Sequence, residues 1–291
     1  MLSTIPSVAV LLFHAVGSSG PYSVPDAVFR QDLRLLRGAH VGVLSPADFE
    51  AYVEGRKKIT GPSVLITFDD GSLTAYTRAT PILRSFHMKA MAFLIGHRIG
   101  RGRDALTAAD VRAMAESGVW TFEAHSYDLH RMVAGMPAMR CLVREGTLDA
   151  ALRRDMELEA SAFQGLGLPP PTAFSYPFGY HDRETDRILF GRYRLLFTSE
   201  AGTVHPGDRL IPRVNVGSGL KSPDRVRSLL ESLTSPSRSE TEILLRPADS
   251  SRRPPGASRI PRDDPARRQG ARTIRLGSCD RSGSASGLGE A

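Results

Sequence analysis

The sequence predicts an α/β fold: a distorted (β/α) barrel of about seven strands forming a single domain, followed by a disordered C-terminal tail. Three observations lead there. Short apolar and β-branched runs alternate with helical patterns, the βαβα rhythm of an α/β domain. The run count suits a closed or nearly closed barrel better than a doubly wound sheet. The pattern then stops after residue 235. The predicted boundaries are a domain over 1–235 and a tail over 236–291.

The strand candidates, in order, are Val8–Phe13, Val64–Phe68, Ala90–Ile95, Thr121–Glu123, Thr172–Tyr176, Arg194–Thr198 and Ile211–Val214. Helices are expected between them. Val28, Phe29, Leu33 and Leu36 have helical spacing. Tyr76 to Phe86 predicts a second helix, with Pro81 as a break or kink. Thr107 is placed to cap a third, and Gly118 to follow its end. Leu148–Gly165 reads as a long helix charged on one side, and Ser222-Pro223 opens a last amphipathic helix with Pro at its first position.

Of 291 residues, 41% are hydrophobic, enough for a sizeable core. The net charge of +7 is uneven: beyond residue 235 there are eleven arginines against seven acidic residues and no aromatic residue. Without a basic, aromatic-interleaved stripe in the body, no nucleic-acid partner is expected. That last segment, rich in Pro, Ser, Gly and Arg, has too few apolar residues to offset its ordering entropy. Cys141 and Cys279 give neither a disulfide framework nor a metal-ligand spacing. No apolar run is long enough to span a membrane. The opening MLSTIPSVAVLLFHAV lacks a basic leader and a cleavage site, so it reads as a first strand rather than a signal peptide. Cellular location is left open.

Three segments carry chemistry. Thr67-Phe68-Asp69-Asp70-Gly71 ends an apolar run, so two carboxylates stand where a strand opens into a loop. Adjacent like charges are unfavourable unless a cation or proton lies between them, although Asp-Asp-Gly is also an ordinary turn sequence. In His125-Ser126-Tyr127-Asp128-Leu129-His130, the two histidines would lie about 140° apart on a helix and on opposite faces of a strand. They converge only if the chain turns between them. Two imidazoles and one carboxylate would leave metal positions open to water, as in catalytic sites. Phe174-Ser175-Tyr176-Pro177-Phe178-Gly179 is an aromatic loop that offers a backbone N–H and apolar walls to a sugar, or simply a packed turn.

In this order, with HSYDLH some 55 residues after TFDDG and SYPFG beyond it, these motifs resemble the polysaccharide deacetylases with a NodB-homology domain, carbohydrate esterase family 4. The resemblance runs over roughly residues 8–233. It includes Pro81-Ile82-Leu83, Met88-Lys89-Ala90, Phe93-Leu94-Ile95 and Ile211-Pro212-Arg213-Val214-Asn215-Val216. The five-residue histidine spacing and the IPRVNV segment look most like the branch of the poly-N-acetylglucosamine deacetylases.

The resemblance implies an enzyme that removes N-acetyl groups from an N-acetylglucosamine-containing glycan by metal-activated water. Asp70, His125 and His130 would hold one divalent metal, usually zinc, with cobalt, nickel or iron as alternatives. Asp69 would be the general base, and Tyr176 and Phe178 would contact substrate, the N–H of Phe178 meeting the oxyanion. Two departures stand out. Where many relatives carry an arginine in the third motif, this chain has Ser175; Arg213 is the residue expected to orient the base instead. No late histidine follows His205, so His14, at the end of the first strand, is the candidate acid, though it also reads as a partly buried histidine. His181 and His205 are weaker candidates. The alternative reading is a catalytically impaired carbohydrate-binding relative that retains the pocket.

Overall fold

The computed structural model describes residues 8–18, 20–217 and 222–234. The tail expected over 236–291 lies outside the described residues. Val8–Phe13 (β1) is buried at every position. Ala15–Val16 (β2) and Ser23–Val24 (β3) then pair with each other in parallel. Asp26–Gly38 (α1) buries Phe29, Leu33 and Leu36, the predicted stripe. Gly42–Val43 (β4) and Pro46–Val53 (α2) follow. The periodicity did not point to α2, but its cap is conventional: Ser45 accepts the Asp48 N–H and Pro46 opens the first turn.

Ser63–Phe68 (β5) leads into the segment expected as one helix over 76–86. It is instead a π-turn, Ala75–Ala79, running into Thr80–Ser85 (α3). Pro81 lacks an N–H to continue the ladder, so it sits in the first turn of a new helix. Ala90–Leu94 (β6) precedes Ala108–Glu116 (α4), which starts with a Thr107/Asp110 capping box. After Trp120–Ala124 (β7) come a small hairpin, Met132–Val133 (β8) with Met136–Pro137 (β9), then Ala138–Glu145 (α5) and Leu148–Leu166 (α6). Ala173–Ser175 (β10), Arg183–Leu189 (α7), Leu195–Phe197 (β11), Leu210–Ile211 (β12), Val214–Asn215 (β13) and Ser222–Thr234 (α8) complete the domain.

The sheet runs β12-β11-β10-β7-β6-β5-β1-β13, with β4 beside β5, and every pairing is parallel. All seven predicted strands are present. The last is split by Pro212 and Arg213 into β12, which pairs with β11, and β13, which pairs with β1. The two edges of the curled sheet are therefore joined by two residues of chain, and the barrel is distorted at this seam.

Strand residues alternate between two buried layers. Val8, Val10, Leu65, Met91, Phe93, Ala173, Leu195 and Phe197 fill the interior. Ala9, Leu11, Phe13, Ile66, Phe68, Ala92 and Phe122 face outward into the helical layer. There Phe13, Phe29, Phe68 and Trp120 stack with centroids 5.1–5.8 Å apart. Such contacts add to area burial rather than replace it. No helix among the described residues is long and apolar enough to cross a membrane.

Candidate metal centre and active site

The alternation that fills the barrel also positions the site. Val10 and Leu65 point inward, so Leu12, His14, Thr67 and Asp69 continue on that side. Leu12 is in register with Thr67, and the Asp69 N–H bonds the Phe13 carbonyl, which brings the ends of β1 and β5 level. On β7, the outward Phe122 leaves Glu123 and His125 inward, and the His125 N–H bonds the Leu94 carbonyl at the end of β6. Ser175 ends β10 with the same orientation. The site thus lies at the carboxyl ends of parallel strands, the usual place for chemistry in such barrels.

Two non-glycine residues in the left-handed region shape the loops. Asp70 has φ +74° and is followed by Gly71 at +68°. This turns the chain sharply off β5, so adjacent carboxylates take different roles in space. Ser126 has φ +69°, and here lies the turn that the histidine spacing required. His125 Nε2 and His130 Nε2 come within 3.4 and 3.3 Å of the same oxygen, Asp70 Oδ1.

These three side chains offer ligand atoms that all lie within 4.8 Å of one another. Ligands of a tetrahedral zinc at its ordinary bond lengths stand about 3.3 Å apart, close to both Asp70–histidine distances. Asp70 Oδ1 is buried and accepts no hydrogen bond, an arrangement that is costly without a cation. His125 Nδ1 bonds the Ser175 carbonyl at 2.8 Å. That fixes its proton on Nδ1 and frees Nε2 to ligate. The residues fit a divalent metal.

Asp69 belongs to a separate arrangement. Its Oδ1 and Oδ2 each accept a guanidinium N–H of Arg213 at 2.8 Å, a bidentate pair. Ser175 Oγ donates to Asp69 Oδ2 at 3.0 Å and accepts from Arg213 at 2.7 Å. Arg213 is 1% exposed. Its Nε donates to the Thr198 carbonyl, and its guanidinium lies over Phe93, 5.5 Å from the ring centre. Burial pushes the Asp69 carboxyl up, but Arg213 and then His125 more than offset this and hold it below the usual carboxylate range. Asp70 is buried as well, and His125 and His130 keep it well below that range.

The histidines differ from one another. Burial lowers His125, but Asp69 and Asp70 outweigh it and the net shift is upward. Burial and the neighbouring His125 push His130 down to about 4. His14 is lowered, burial outweighing the pull of Asp69 and Asp70, and its Nδ1 has no hydrogen-bond partner.

An open cleft of about 370 Å³ covers this floor, lined among others by His14, Tyr22, Asp69, Asp70, His130 and Phe178. Phe178 is 47% exposed and stacks on His130 with ring centres 4.3 Å apart. Tyr22, 58% exposed, stands beside the His14 ring at 5.3 Å. Tyr176 also borders the cleft, but it is buried and its hydroxyl is tied to Asp186, so it anchors the loop from beneath. His181 lies near Asp186 and Glu200, and His205 is exposed in a polar turn; neither lines the cleft. Sequence reasoning missed Tyr22, whose only signal was an aromatic in the loop after β2. It also missed the part played by the Ser175 hydroxyl, having noted only the residue's place in the motif.

A candidate Asp-His-His ligand triad and an arginine-clamped carboxylate thus stand together at the strand ends of a parallel barrel. Residues 56–190 match the family described as polysaccharide deacetylase. YxkH of Bacillus subtilis is 28% identical over 214 residues, 72% of each chain. The poly-beta-1,6-N-acetyl-D-glucosamine N-deacetylase of Staphylococcus epidermidis is 35% identical over 118 residues, 39% of this chain and 40% of that relative. The structure of IcaB from Ammonifex degensii superposes with a TM-score of 0.72 at 27% identity, covering 79% of this chain and 98% of that one.

Proposed function

We propose that the protein is a metal-dependent hydrolase that removes N-acetyl groups from N-acetylglucosamine-containing polysaccharide, with a poly-β-1,6-linked glycan as the favoured class. One observation carries this reading: an ionised, bidentately held Asp69 stands beside three converging ligand atoms on the floor of an open cleft. Asp70, His125 and His130 would hold one divalent cation, zinc first by donor set with cobalt, nickel or iron as alternatives, and it would act there as a Lewis acid that acidifies water.

Asp69 takes the proton of the attacking water. Arg213 and Ser175 hold both of its oxygens, so it is charged and oriented before substrate arrives. The N–H of Phe178 donates a hydrogen bond to the amide oxygen as negative charge develops on it. Phe178 and Tyr22 flank the sugar. His14 gives a proton to the departing amine. Burial keeps His14 neutral at rest, so it takes over the proton that Asp69 removed from the water and passes it to nitrogen as the C–N bond breaks, which leaves Asp69 ionised and His14 neutral again. The products are acetate and a free amine on the glycan.

The test is mass-spectrometric detection of deacetylation across poly-N-acetylglucosamine, chitin oligomers and peptidoglycan fragments, with and without zinc and chelator. Zinc-stimulated acetate release is expected. Asp69→Asn should retain metal and lose about 10²–10⁴-fold in turnover, and His125→Ala should lose both. Glycan binding without acetate from any polymer would overturn the assignment in favour of a silent, carbohydrate-binding relative.

A further inference from the structure

The loop bearing both histidines is gripped by two acids that the reaction does not use. Asp155 and Glu159 lie one turn apart on α6 and are 5% and 0% exposed. Asp155 Oδ2 accepts the Tyr127 N–H and Oδ1 accepts the Asp128 N–H, each at 2.8 Å. Glu159 Oε2 accepts the Gly96 N–H at 3.2 Å, a donor shared with the Ser126 carbonyl. The His97 N–H bonds the Tyr127 carbonyl at 2.8 Å. The packing leaves no space at Gly96: a Cβ there would collide with Glu159 Oε2 and come within 2.8 Å of the Tyr127 ring.

Neither acid forms an ion pair among the described residues. Burial pushes Asp155 up to about 6 and Glu159 well above its ordinary value, against the backbone donors that each accepts. Buried carboxyls are costly unless bonded, and here most of the bonding goes to the turn between His125 and His130.

We propose that Asp155, supported by Glu159, is a positioning residue for the metal centre, fixing the Tyr127–Asp128 backbone so that His125 and His130 converge on Asp70. The inference rests on the metal reading above. A five-residue loop with a left-handed start has no reason of its own to bring two imidazoles to one point. Two adjacent N–H groups held by one carboxylate remove that freedom before the cation arrives, and preorganisation of this kind raises affinity. Aspartate suits the task because both of its oxygens accept. Asparagine offers one acceptor and turns an NH₂ towards the other N–H.

The experiment titrates the full chain with zinc against a competing chromophoric chelator. Wild type should bind one zinc. Asp155→Asn should bind it about 10–100-fold more weakly, with the circular dichroism of the metal-free protein unchanged and kcat recovering at saturating zinc. Glu159→Gln, which keeps an acceptor for Gly96, should shift affinity by less than about threefold. Zinc affinity of Asp155→Asn within about threefold of wild type would overturn the proposal while leaving the metal centre standing. Failure of wild type to bind zinc would overturn both. Should Asp155→Asn not fold, amide exchange in metal-free wild type decides the matter: Tyr127 and Asp128 should be protected, and exchange as fast as in an open loop would overturn the brace.

Discussion

Asp69, at the end of β5, and Asp32, on α1 where α8 covers it, are both buried, at 3% and 0% exposure. Their surroundings pull the two carboxyls in opposite directions. Asp69 has a guanidinium on both oxygens and is held below the usual carboxylate range. Asp32 has one hydroxyl, Ser222 Oγ at 2.6 Å, with its Oδ1 unpartnered, and burial pushes it up to about 7. Equal burial therefore yields a group held in the ionised state at the strand ends and a group near neutrality between two helices. What differs is the partner. Asp69 is kept ionised by an arginine from elsewhere in the chain, whereas the interhelical carboxyl can take up a proton at little cost.

The largest test of this contrast removes the guanidinium. Arg213→Met leaves Asp69 buried and uncompensated, so stability at pH 7, read by urea unfolding, should fall by about 3–5 kcal/mol, with turnover lost. Arg213→Lys keeps the charge without the fork and should recover only part of both.

The second test uses pH. The folded pKa of Asp32 lies above its unfolded value, so its stabilising effect is full below about pH 4 and is lost as pH rises towards 7. Asp69 has the opposite sign: its contribution is full above its unfolded value and is lost only as pH falls through its depressed folded pKa. Asp32→Asn should therefore flatten the stability profile between pH 4 and 7 by on the order of 3 kcal/mol, without touching the acid limb set by Asp69. An unchanged profile would show that Asp32 is ionised in the fold.

The smallest effect is expected from Ser175→Ala. It removes one hydroxyl shared by Asp69 and Arg213 and should cost about 1 kcal/mol, leaving the bidentate pair to keep Asp69 charged.

Much of the barrel was legible because parallel strands bury both faces and so read as short apolar runs, as in Val8–Phe13 and Val64–Phe68. The weakest elements were two-residue strands such as β4 and short helices such as α2 and α7, whose signatures lie in their caps, Ser45-Pro46 and Asp182 with Thr185. At the site, residue types, spacing and the family resemblance pointed to Asp69, Asp70, His125 and His130, and position at strand ends to His14 and Arg213. The sequence could not tell that Asp155 and Glu159 face inward. On α6 they look like members of a charged, solvated surface, and only the Ser126 turn, which needs its neighbouring N–H groups satisfied, gives them a reason to be buried. Nor could it show that the hydroxyl of Ser175, at a position where arginine is common, would join a guanidinium arriving from β13's side of the barrel.

The seam at Pro212–Arg213 bears on the order in which the molecule becomes competent. Asp69 and Arg213 are 144 residues apart, and the three candidate ligand residues all precede residue 131. During synthesis from the amino end, the strands carrying the metal ligands are complete long before the segment that closes the barrel. Until β12 and β13 reach their opposite edges, Asp69 lacks the charge partner that makes its burial tolerable. Closure of the sheet and pairing of Asp69 with Arg213 are then one event, and contacts of such long range cost loop-closure entropy before they reward it. A chain halted before residue 210 would hold Asp69, Asp70, His125 and His130 but not Arg213, so on the proposed mechanism its base would lack the guanidinium that keeps it ionised.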